Sequence, residues 1–440
     1  MSANLPNAAA HTAFACPALF ISAVASGQGK TSVTAALARL HSRKGRGVRV
    51  FKTGPDFLDP KILEMASAAS VFNIDTWMVG IEESRALLAE AAQASDLILI
   101  EGAMGLFDGE PSAADLAREL GVPIAALIDA SAMAQTFGAV AHGLRSYRPT
   151  PFAGVIANRV AGPTHARMLA DSLQLGTRLL AALPQLEVTL AERHLGLVAD
   201  AQGNDIMHAI DLMADALQAS GFTDLPAAVT FPARRMPPVE PLLARRTVAV
   251  ARDAAFSFIY PANLRCLTDM GARLRFFSPV ADEPVPDSDA LYLPGGYPEL
   301  HAETLARNHR WNASVRAYTD SARPVLAECG GMMAIVDTLV TADGRRHAMA
   351  GLLPGTVFMT DRVTAIGLQA LPLPEGELRA HTFHHSRMES PAEPSLRSIP
   401  HRYVTGEAVY RQGSITATYV HAYFRSNARA SAGLLLPRHP

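Results

Sequence analysis

The sequence lacks the features expected of a membrane protein, a nucleic-acid-binding protein or a disulfide-bonded scaffold. It has three cysteines in 440 residues, no Cys-x-x-Cys pair and no long basic run, and its formal net charge is −2. Three cysteines cannot all pair with one another and no zinc spacing is present, so we expect a reducing, cytoplasmic environment. Because no uninterrupted apolar run reaches about 18 residues and no basic patch is visible, we expect neither a membrane span nor nucleic-acid binding.

The sequence also lacks the positive charges of a secretory signal. Residues 13–26 are small and apolar, but no Lys or Arg precedes them. A signal peptide needs a charged segment in front of its apolar one. We therefore expect no signal peptide and interpret this stretch as part of the fold.

Hydrophobic residues make up 49 % of the chain and charged residues 18 %, enough to build two cores of about 200 residues each. Short apolar runs alternate with helical patterns, and this alternation predicts α/β domains with mostly parallel sheets. A helix is predicted over residues 31–42. The predicted strands are residues 18–24, 48–52, 96–101, 124–129 and 154–158 in the first half, and 247–251, 290–293 and 324–327 in the second.

A proline-rich stretch separates the two halves. Residues 226–246 contain five prolines and two Arg-Arg pairs, a composition typical of linkers. We predict an N-terminal extension over residues 1–17 and a phosphate-loop domain over 18–225. After the linker, a second α/β domain is predicted over residues 247–440.

A phosphate-binding loop is predicted between the first strand and the first helix, at Ser26-Gly27-Gln28-Gly29-Lys30-Thr31. Glycines let backbone N–H groups approach phosphate oxygens, and the start of the helix adds positive potential. Lys30 can reach the β and γ phosphates, and the Thr31 hydroxyl can bind Mg²⁺. A Gly-rich turn with a solvated lysine is the alternative, but it leaves Lys30 and Thr31 unexplained.

Acidic residues follow two further strands. Asp56 and Asp59 come just after the strand that ends in Lys52, and Glu101 ends the next strand. The carboxyl ends of parallel strands meet at one edge of a sheet, so we expect these residues beside the phosphate loop. Lys52 is assigned to the nucleotide site, and Thr31, Asp56 and Glu101 are candidate Mg²⁺ ligands. Asx capping of a turn is an alternative role for Asp56 and Asp59.

The second half carries a predicted nucleophile. In residues 324–331 an apolar strand leads into Glu328-Cys329-Gly330-Gly331 and then an apolar helix pattern. Such an elbow exposes its side chain, and a helix N-terminus lowers the pKa of a thiol. His421 ends another apolar run and can serve as the base. The amides of Gly295, Gly296 and Gly330 are candidates for an oxyanion hole. Alternatively, Cys329 is a small buried hydrophobe.

Together these segments resemble a known enzyme family. The first half resembles dethiobiotin-synthetase-like ATPases, and the second half resembles class I glutamine amidotransferase domains. The combination is similar to the cobyrinate and hydrogenobyrinate a,c-diamide synthases. The segments that carry this resemblance are GPDFLDP (54–60), FNIDTWM (72–78), EGAMGLFDG (101–109), LIDASAMAQT (127–136), RHLGLV (193–198), LPGGYPEL (293–300) and ECGGMM (328–333).

The resemblance implies a specific chemistry. ATP would phosphorylate an acetate carboxylate of cobyrinate or hydrogenobyrinate, L-glutamine would be hydrolysed at Cys329, and the ammonia would attack the acyl phosphate. It also implies that Asp56, Asp59, Glu101 and Asp108 bind metal or activate substrate. Asp108 is assigned by resemblance alone, since its position otherwise indicates a turn. The family further leads us to expect a homodimer.

Related activities stay open as alternatives. They are cobyric acid synthesis, nickel-sirohydrochlorin amidation and, as a non-enzyme, a phosphate-loop switch with an inert second domain. A partition-type ATPase is a competing interpretation of the phosphate loop. Ala25 disfavours it, because such proteins carry an extra lysine at this position early in the loop.

Two departures from the class I amidotransferase pattern stand out. The Glu that usually follows the catalytic His by two residues is Tyr423 here, so the residue that orients His421 stays open. His381 and His384 have a spacing that could bind metal. Because no Cys or acid is near them in sequence, we favour a structural or interface role.

Overall fold

The computed structural model describes residues 13–186, 200–402 and 405–437. The predicted motif at residues 193–198 lies outside them. Contacts divide the chain into two compact units, with the main boundary between Pro237 and Pro238. Each unit has a largely parallel sheet with helices, so the predicted α/β fold class is confirmed.

The described part of the first unit forms a sheet of eight strands in the order β3-β2-β4-β1-β5-β6-β7, with β8 paired to β1. All pairs are parallel except β1–β8. The strands are β1 Ala13–Ala23, β2 Val48–Thr53, β3 Phe72–Ile74, β4 Leu97–Glu101, β5 Ile124–Asp129, β6 Phe152–Val160, β7 Leu179–Pro184 and β8 Ala228–Pro232. The helices are α1 Lys30–Arg43, α2 Asp59–Ser67, α3 Ile81–Ala94, α4 Ala113–Leu120, α5 Thr136–Ser146, α6 Pro163–Asp171 and α7 Asp200–Ala219.

The register of this sheet brings the predicted nucleotide-site residues to one edge. Strand β4 is buried along its whole length, as its continuous apolar run requires in a sheet covered on both faces. Its last residue, Glu101, lies level with Lys52 of β2 and Ile21 of β1. The phosphate loop follows β1 directly, so loop and acidic residues share the carboxyl edge.

The described part of the second unit has a main sheet in the order β10-β9-β11-β12-β22-β21-β19, in which β21 runs antiparallel to both of its neighbours, β22 and β19. Two smaller sheets have the orders β14-β13-β15-β18 and β20-β16-β17-β23. The strands are β9 Thr247–Ala251, β10 Arg273–Phe277, β11 Ala290–Leu293, β12 Val325–Glu328, β13 Val336–Val340, β14 Arg346–Ala348, β15 Leu353–Met359, β16 Ala365–Leu373, β17 Gly376–His384, β18 Ser386–Glu389, β19 Leu396–Arg397, β20 Ile399–Pro400, β21 Ala408–Gln412, β22 Ile415–Thr418 and β23 His421–Ala422. The helices are α8 Pro261–Asp269, α9 Ala302–Arg307, α10 His309–Asp320, α11 Gly330–Met333 and α12 Ala428–Leu435.

Alternate residues of the main sheet pack into two separate cores. Ala249 and Ala251 of β9 join one buried cluster, whereas Val248 and Val250 join the other. Because neighbouring side chains of a strand point to opposite faces, these clusters cover the two faces of the sheet. Cys329 belongs to the first cluster.

Two predicted boundaries differ from the observed strands. Strand β1 begins at Ala13, inside the predicted N-terminal extension. Strand β8 lies inside the predicted 226–246 linker and pairs with β1 from Ala13 to Pro17. The pairing partner is more than 200 residues away, so local composition could not reveal it.

No helix in the part of the chain that the structure describes is long and apolar enough to cross a membrane.

Candidate active sites

The phosphate loop connects β1 to α1 and is shaped by a glycine. Gly29 caps α1 with a φ of 94°, a left-handed conformation that glycine adopts without strain. A Cβ at this position would also lie only 2.7 Å from Nδ2 of Asn158. Ser26 and Gly27 are exposed, whereas Lys30 and Thr31 are buried at the start of the helix. The Lys30 ammonium donates to the Ala25 carbonyl at 3.2 Å, so it folds back over the loop.

Residues at the ends of β5 and β6 hold this loop, and the sequence reading did not single them out. Asn158 Nδ2 donates to the Gln28 carbonyl at 2.9 Å, and the Asp129 amide donates to the Gln28 side chain at 2.8 Å. Arg159 donates to the Gly27 carbonyl at 3.4 Å and pairs with Asp129. One signal in the sequence could have identified these residues. Asn158 and Arg159 are a polar pair after the apolar run of β6, at the carboxyl edge of the sheet, where ligands bind in such folds.

Lys52 lies at the centre of the predicted acidic cluster. Its buried ammonium donates to Glu101 Oε1 at 2.7 Å and to Asp59, and lies 3.6 Å from Asp56 Oδ2. Thr31 donates its hydroxyl to the same Glu101 oxygen at 2.8 Å. The structure therefore brings together Thr31, Lys52, Asp56, Asp59 and Glu101, as the strand-end argument predicted.

Asp56 forms the turn considered for it and also faces Lys52. Its Oδ1 accepts from the amides of Leu58 at 2.8 Å and Asp59 at 3.2 Å, the Asx-type turn that leads into α2. Its Oδ2 faces Lys52. The turn thus fixes one oxygen and directs the other into the cluster.

Burial and charge oppose each other in this cluster. Burial raises the pKa of Glu101 to about 7, despite the nearby Lys52 ammonium. Burial likewise raises the pKa of Asp56. Burial would also raise the pKa of Asp59, but its contact with Lys52 outweighs this and leaves that pKa lowered. For Lys52 itself, three carboxylates outweigh burial and raise its pKa well above the usual value.

Asp108 forms a local turn. Its Oδ2 accepts from the Gly105 amide at 3.0 Å, and its own amide donates to the Gly105 carbonyl at 3.1 Å. This turn lies against the start of the phosphate loop, because a Cβ at Gly105 would be 2.5 Å from the Val24 carbonyl oxygen. Asp108 therefore shapes a loop next to the nucleotide site.

In the second unit, Cys329 is a strained elbow between β12 and α11. Its φ is 45°, an unfavourable value for a residue with a side chain. Its amide donates to the Thr418 carbonyl at 2.7 Å, which anchors the turn to β22. Strain of this kind is found where a nucleophile must be presented sharply at the end of a strand.

Gly295 lies between the predicted nucleophile and the predicted base. A Cβ on it would be 2.3 Å from Cε1 of His421 and 3.4 Å from Cβ of Cys329, so no other residue fits. A Cβ on Gly330 would lie 2.8 Å from the Gly296 nitrogen. The structure thus brings Cys329, His421, Gly295, Gly296 and Gly330 into one site.

The expected lowering of the thiol pKa is wrong. Burial raises the pKa of Cys329, and the nearby Glu299 carboxyl raises it further. The helix after it, α11, has only four residues and cannot offset burial. Burial also lowers the pKa of His421 well below its usual value, so burial disfavours the charged form of both side chains.

The two other histidines of the His381-Thr382-Phe383-His384 segment support this site. The His381 ring stacks on His421 with centroids 5.2 Å apart, and its Nδ1 is 3.1 Å from the Tyr260 hydroxyl. His384 stacks on Tyr419 and its Nε2 lies 3.0 Å from Glu407 Oε1. The assumption that no acid lies near these histidines is therefore wrong, because Glu407 comes from a distant part of the chain.

Among the described residues, no group of three or more His, Cys, Asp or Glu side chains is arranged to hold a metal ion by itself. Glu101 nevertheless has a buried oxygen, Oε2, that accepts no hydrogen bond within the described structure. Mg²⁺ in nucleotide sites usually takes one or two carboxylates and completes its shell with phosphates and water.

Family comparisons assign both halves of the chain. Residues 19–197 match the CobQ/CobB/MinD/ParA nucleotide binding domain, and residues 247–429 match the CobB/CobQ-like glutamine amidotransferase domain.

Three relatives align over nearly the whole chain. A hydrogenobyrinate a,c-diamide synthase of Stutzerimonas stutzeri is 56 % identical, over 96 % of this chain and 99 % of the relative. A protein of the same description from Pseudomonas aeruginosa is 53 % identical, over 96 % and 98 %. A cobyrinate a,c-diamide synthase of Herminiimonas arsenicoxydans is 49 % identical, over 95 % and 96 %.

Proposed function

The chain belongs to the hydrogenobyrinate and cobyrinate a,c-diamide synthase family, and from this premise we propose that it amidates the a and c acetate groups of such a ring in cobalamin biosynthesis, with ATP and L-glutamine. One observation carries the proposal: a phosphate loop beside a buried Lys52–carboxylate cluster and a Cys329–His421 pair occur in the same chain. The first half-site suits activation of a carboxylate and the second suits release of ammonia.

In the first half-site, Lys30 and the loop amides would hold the ATP phosphates. Lys52 lies where it can neutralise negative charge on the transferring phosphoryl group. The carboxylate of the ring would attack the γ phosphorus, giving an acyl phosphate and ADP. Asp59 and Asp108 would orient the groups around this reaction.

Mg²⁺ fits this half-site. Thr31, Asp56 and Glu101 offer hard oxygen atoms, and the buried Oε2 of Glu101 has an unused acceptor position within the described structure. These three residues would hold the ion together with the phosphates. When bound, it supplies positive charge to the β and γ phosphates.

In the second half-site, the proton of the Cys329 thiol would pass to His421 as sulfur attacks the glutamine amide carbon. Because burial disfavours a separated thiolate and imidazolium, this transfer would accompany the attack. The amides of Gly295, Gly296 and Gly330 would stabilise the oxyanion. His421 would then protonate the leaving ammonia, and water would hydrolyse the thioester to glutamate.

Ammonia would finally replace phosphate on the acyl carbon. Each round thus consumes one ATP, one glutamine and one water, and yields one ring amide, glutamate, ADP and phosphate. Two rounds give the a,c-diamide. The family also leads us to propose a homodimer, which the molecular mass in solution tests.

The experiment is incubation of the purified chain with ATP, Mg²⁺, glutamine and one macrocycle, followed by mass spectrometry of the ring. Hydrogenobyrinate and cobyrinate are tested separately, and sirohydrochlorin with nickel serves as the third arm. We expect two carboxyl-to-amide exchanges in one or both of the first two arms. Amidation of the nickel ring alone, or of no ring, contradicts the proposal.

The matched control is Cys329→Ala with glutamine or with ammonium chloride. The variant should amidate the ring only from ammonium. An unchanged glutamine-dependent rate would remove Cys329 from the mechanism.

A further inference from the structure

A buried carboxyl group links the three strands that carry the glutamine site. Glu328 precedes Cys329 at the end of β12 and is 2 % exposed. Its Oε1 accepts from the Ala422 amide at 3.1 Å, next to His421 on β23. Its Oε2 accepts from the Tyr292 hydroxyl at 2.8 Å, on the strand that leads to Gly295. One side chain therefore contacts neighbours of the nucleophile, the base and the oxyanion loop.

The strand that carries His421 needs such a contact. After Thr418 the chain leaves the main sheet, and β23 has only two residues, paired with β17 at Ala380 and His381. So short a strand has few ladder hydrogen bonds to fix the direction of its side chains. The usual acid two residues after the histidine is also absent, because Tyr423 takes its place.

A second buried side chain, Asn263, holds Ala422 from its carbonyl side. Asn263 of α8 donates to the Ala422 carbonyl at 2.8 Å and accepts from the Phe424 amide at 2.8 Å. Ala422 is thus held through its N–H by Glu328 and through its carbonyl by Asn263. Both side chains lie in the polar-poor core beside Tyr292, where each hydrogen bond is costly to lose.

We propose that Glu328 is a positioning residue for the Cys329–His421 pair, which fixes the base through the Ala422 backbone. The inference rests on the proposed glutaminase function. Glu328 needs only an acceptor oxygen for this role, not a charge. Burial raises the pKa of Glu328 to about 8, which fits a group that acts by hydrogen bonding rather than by charge.

The test compares Glu328→Gln with Glu328→Met. The two residues are similar in length and both are uncharged, but only Gln keeps an acceptor for the Ala422 amide. The hydroxyl of Tyr292 can rotate to accept from the Gln amide. The assays are glutamine hydrolysis by the whole chain with ATP and macrocycle present, and amidation from ammonium chloride. Thermal melting checks that each variant is folded.

We expect Glu328→Gln to keep kcat for glutamine hydrolysis within about 3-fold of wild type, whereas Glu328→Met loses about 10²-fold, as small displacements of a catalytic group do. KM for glutamine should change little in either, because the contacts of Glu328 are to the Tyr292 hydroxyl and the Ala422 backbone amide. Amidation from ammonium should stay within about 2-fold, since the acyl phosphate site is untouched.

Equal kcat values for the two variants, with both folded, would overturn the proposal. A wild-type chain that releases no glutamate contradicts the proposed function instead, so the two failures are distinguishable. If Glu328→Met does not fold, Asn263→Leu removes the hold on the carbonyl side of Ala422 and should lower kcat in the same way. Unchanged kcat in a folded Asn263→Leu chain also counts against the inference.

Discussion

The two half-sites differ in their electrostatics. Around Lys52, one buried ammonium contacts three carboxylates, and this contact shifts the pKa values of Lys52 and Asp59 towards their charged forms, although burial raises those of Glu101 and Asp56. Around Cys329, burial favours neutral groups, and the thiol, His421 and His381 all have pKa values shifted towards the uncharged form. The first site is suited to a ligand that brings its own charge, such as ATP. The second is suited to a neutral amide, and charge arises there only as the reaction proceeds.

The largest effect is expected when the cation of the Lys52 half-site is removed. Lys52→Met leaves Asp59 and the fully buried Glu101 without their shared cation, which typically costs about 3–5 kcal/mol of unfolding free energy. We expect a lower melting temperature and loss of amidation from both glutamine and ammonium, by at least about 10³-fold. Steady-state assays and thermal melting measure both.

Lys44→Met is the matched control, because Lys44 is an exposed lysine just after α1. It should leave activity and melting temperature unchanged. A Lys52→Met chain that still amidates from ammonium at the wild-type rate would show that this cation has no role in phosphoryl transfer.

We expect the Cys329 half-site to be more sensitive to the positions of its side chains than to charge. Gly295→Ala places a methyl group 2.3 Å from His421 and must displace its ring. We expect glutamine-dependent amidation to fall by about 10²-fold while the ammonium-dependent rate is kept. The ratio of the two rates is the measurement.

Gly143→Ala provides the comparison for that change. Gly143 lies in α5 with open space around it, so the same substitution should be neutral or stabilise by about 0.5–1 kcal/mol. Loss of both rates in Gly295→Ala would indicate misfolding rather than a displaced base.

A smaller effect is expected at the support of the phosphate loop. Asn158→Ala removes one hydrogen bond, to the Gln28 carbonyl. Loss of about 1 kcal/mol corresponds to a roughly 5-fold rise in KM for ATP, with kcat for ammonium-dependent amidation nearly unchanged. An unaltered KM would mean that the loop keeps its shape without Asn158.

The smallest effect on activity is expected for Glu328→Gln, whose signature is a change in the pH dependence of stability. A carboxyl group whose pKa is raised to about 8 in the folded chain binds its proton more tightly than in the unfolded chain. The protonated Glu328 side chain therefore contributes its full share of the unfolding free energy below the unfolded pKa of about 4.3, and this share is lost as the pH rises through 8. Glu328→Gln lacks this dependence, so its melting temperature should gain on that of wild type between pH 5 and pH 8. A constant difference would contradict the raised pKa.

Sequence reasoning succeeded where a signal is local. The predicted strands 124–129, 247–251 and 290–293 coincide with β5, β9 and β11, because each is an apolar run with polar or glycine-containing flanks. The phosphate loop and the elbow were found for the same reason. Parallel pairing then placed Lys52 next to Glu101 without further information.

The features that sequence reasoning missed depend on contacts with distant parts of the chain or on how deeply a side chain is buried. Strand β8 pairs with residues more than 200 positions away, and Glu407 approaches His384 from the segment just before β21. The raised thiol pKa follows from burial in a core that the sequence around Cys329 does not specify. Asn158 escaped notice because its partner is a backbone carbonyl, which leaves no trace in residue type. Glu328 escaped notice because its partners, the Tyr292 hydroxyl and the Ala422 amide, are 36 and 94 residues away.

The most direct test of the two-site account follows the nitrogen atom itself. Glutamine labelled at its amide nitrogen is supplied with ATP and macrocycle, and the label in the ring product is measured for wild type and for Cys329→Ala. The account predicts label in both new amides for wild type and none for the variant, which still amidates when unlabelled ammonium is added. Label in the ring made by Cys329→Ala, or an unlabelled product from wild type, would contradict it.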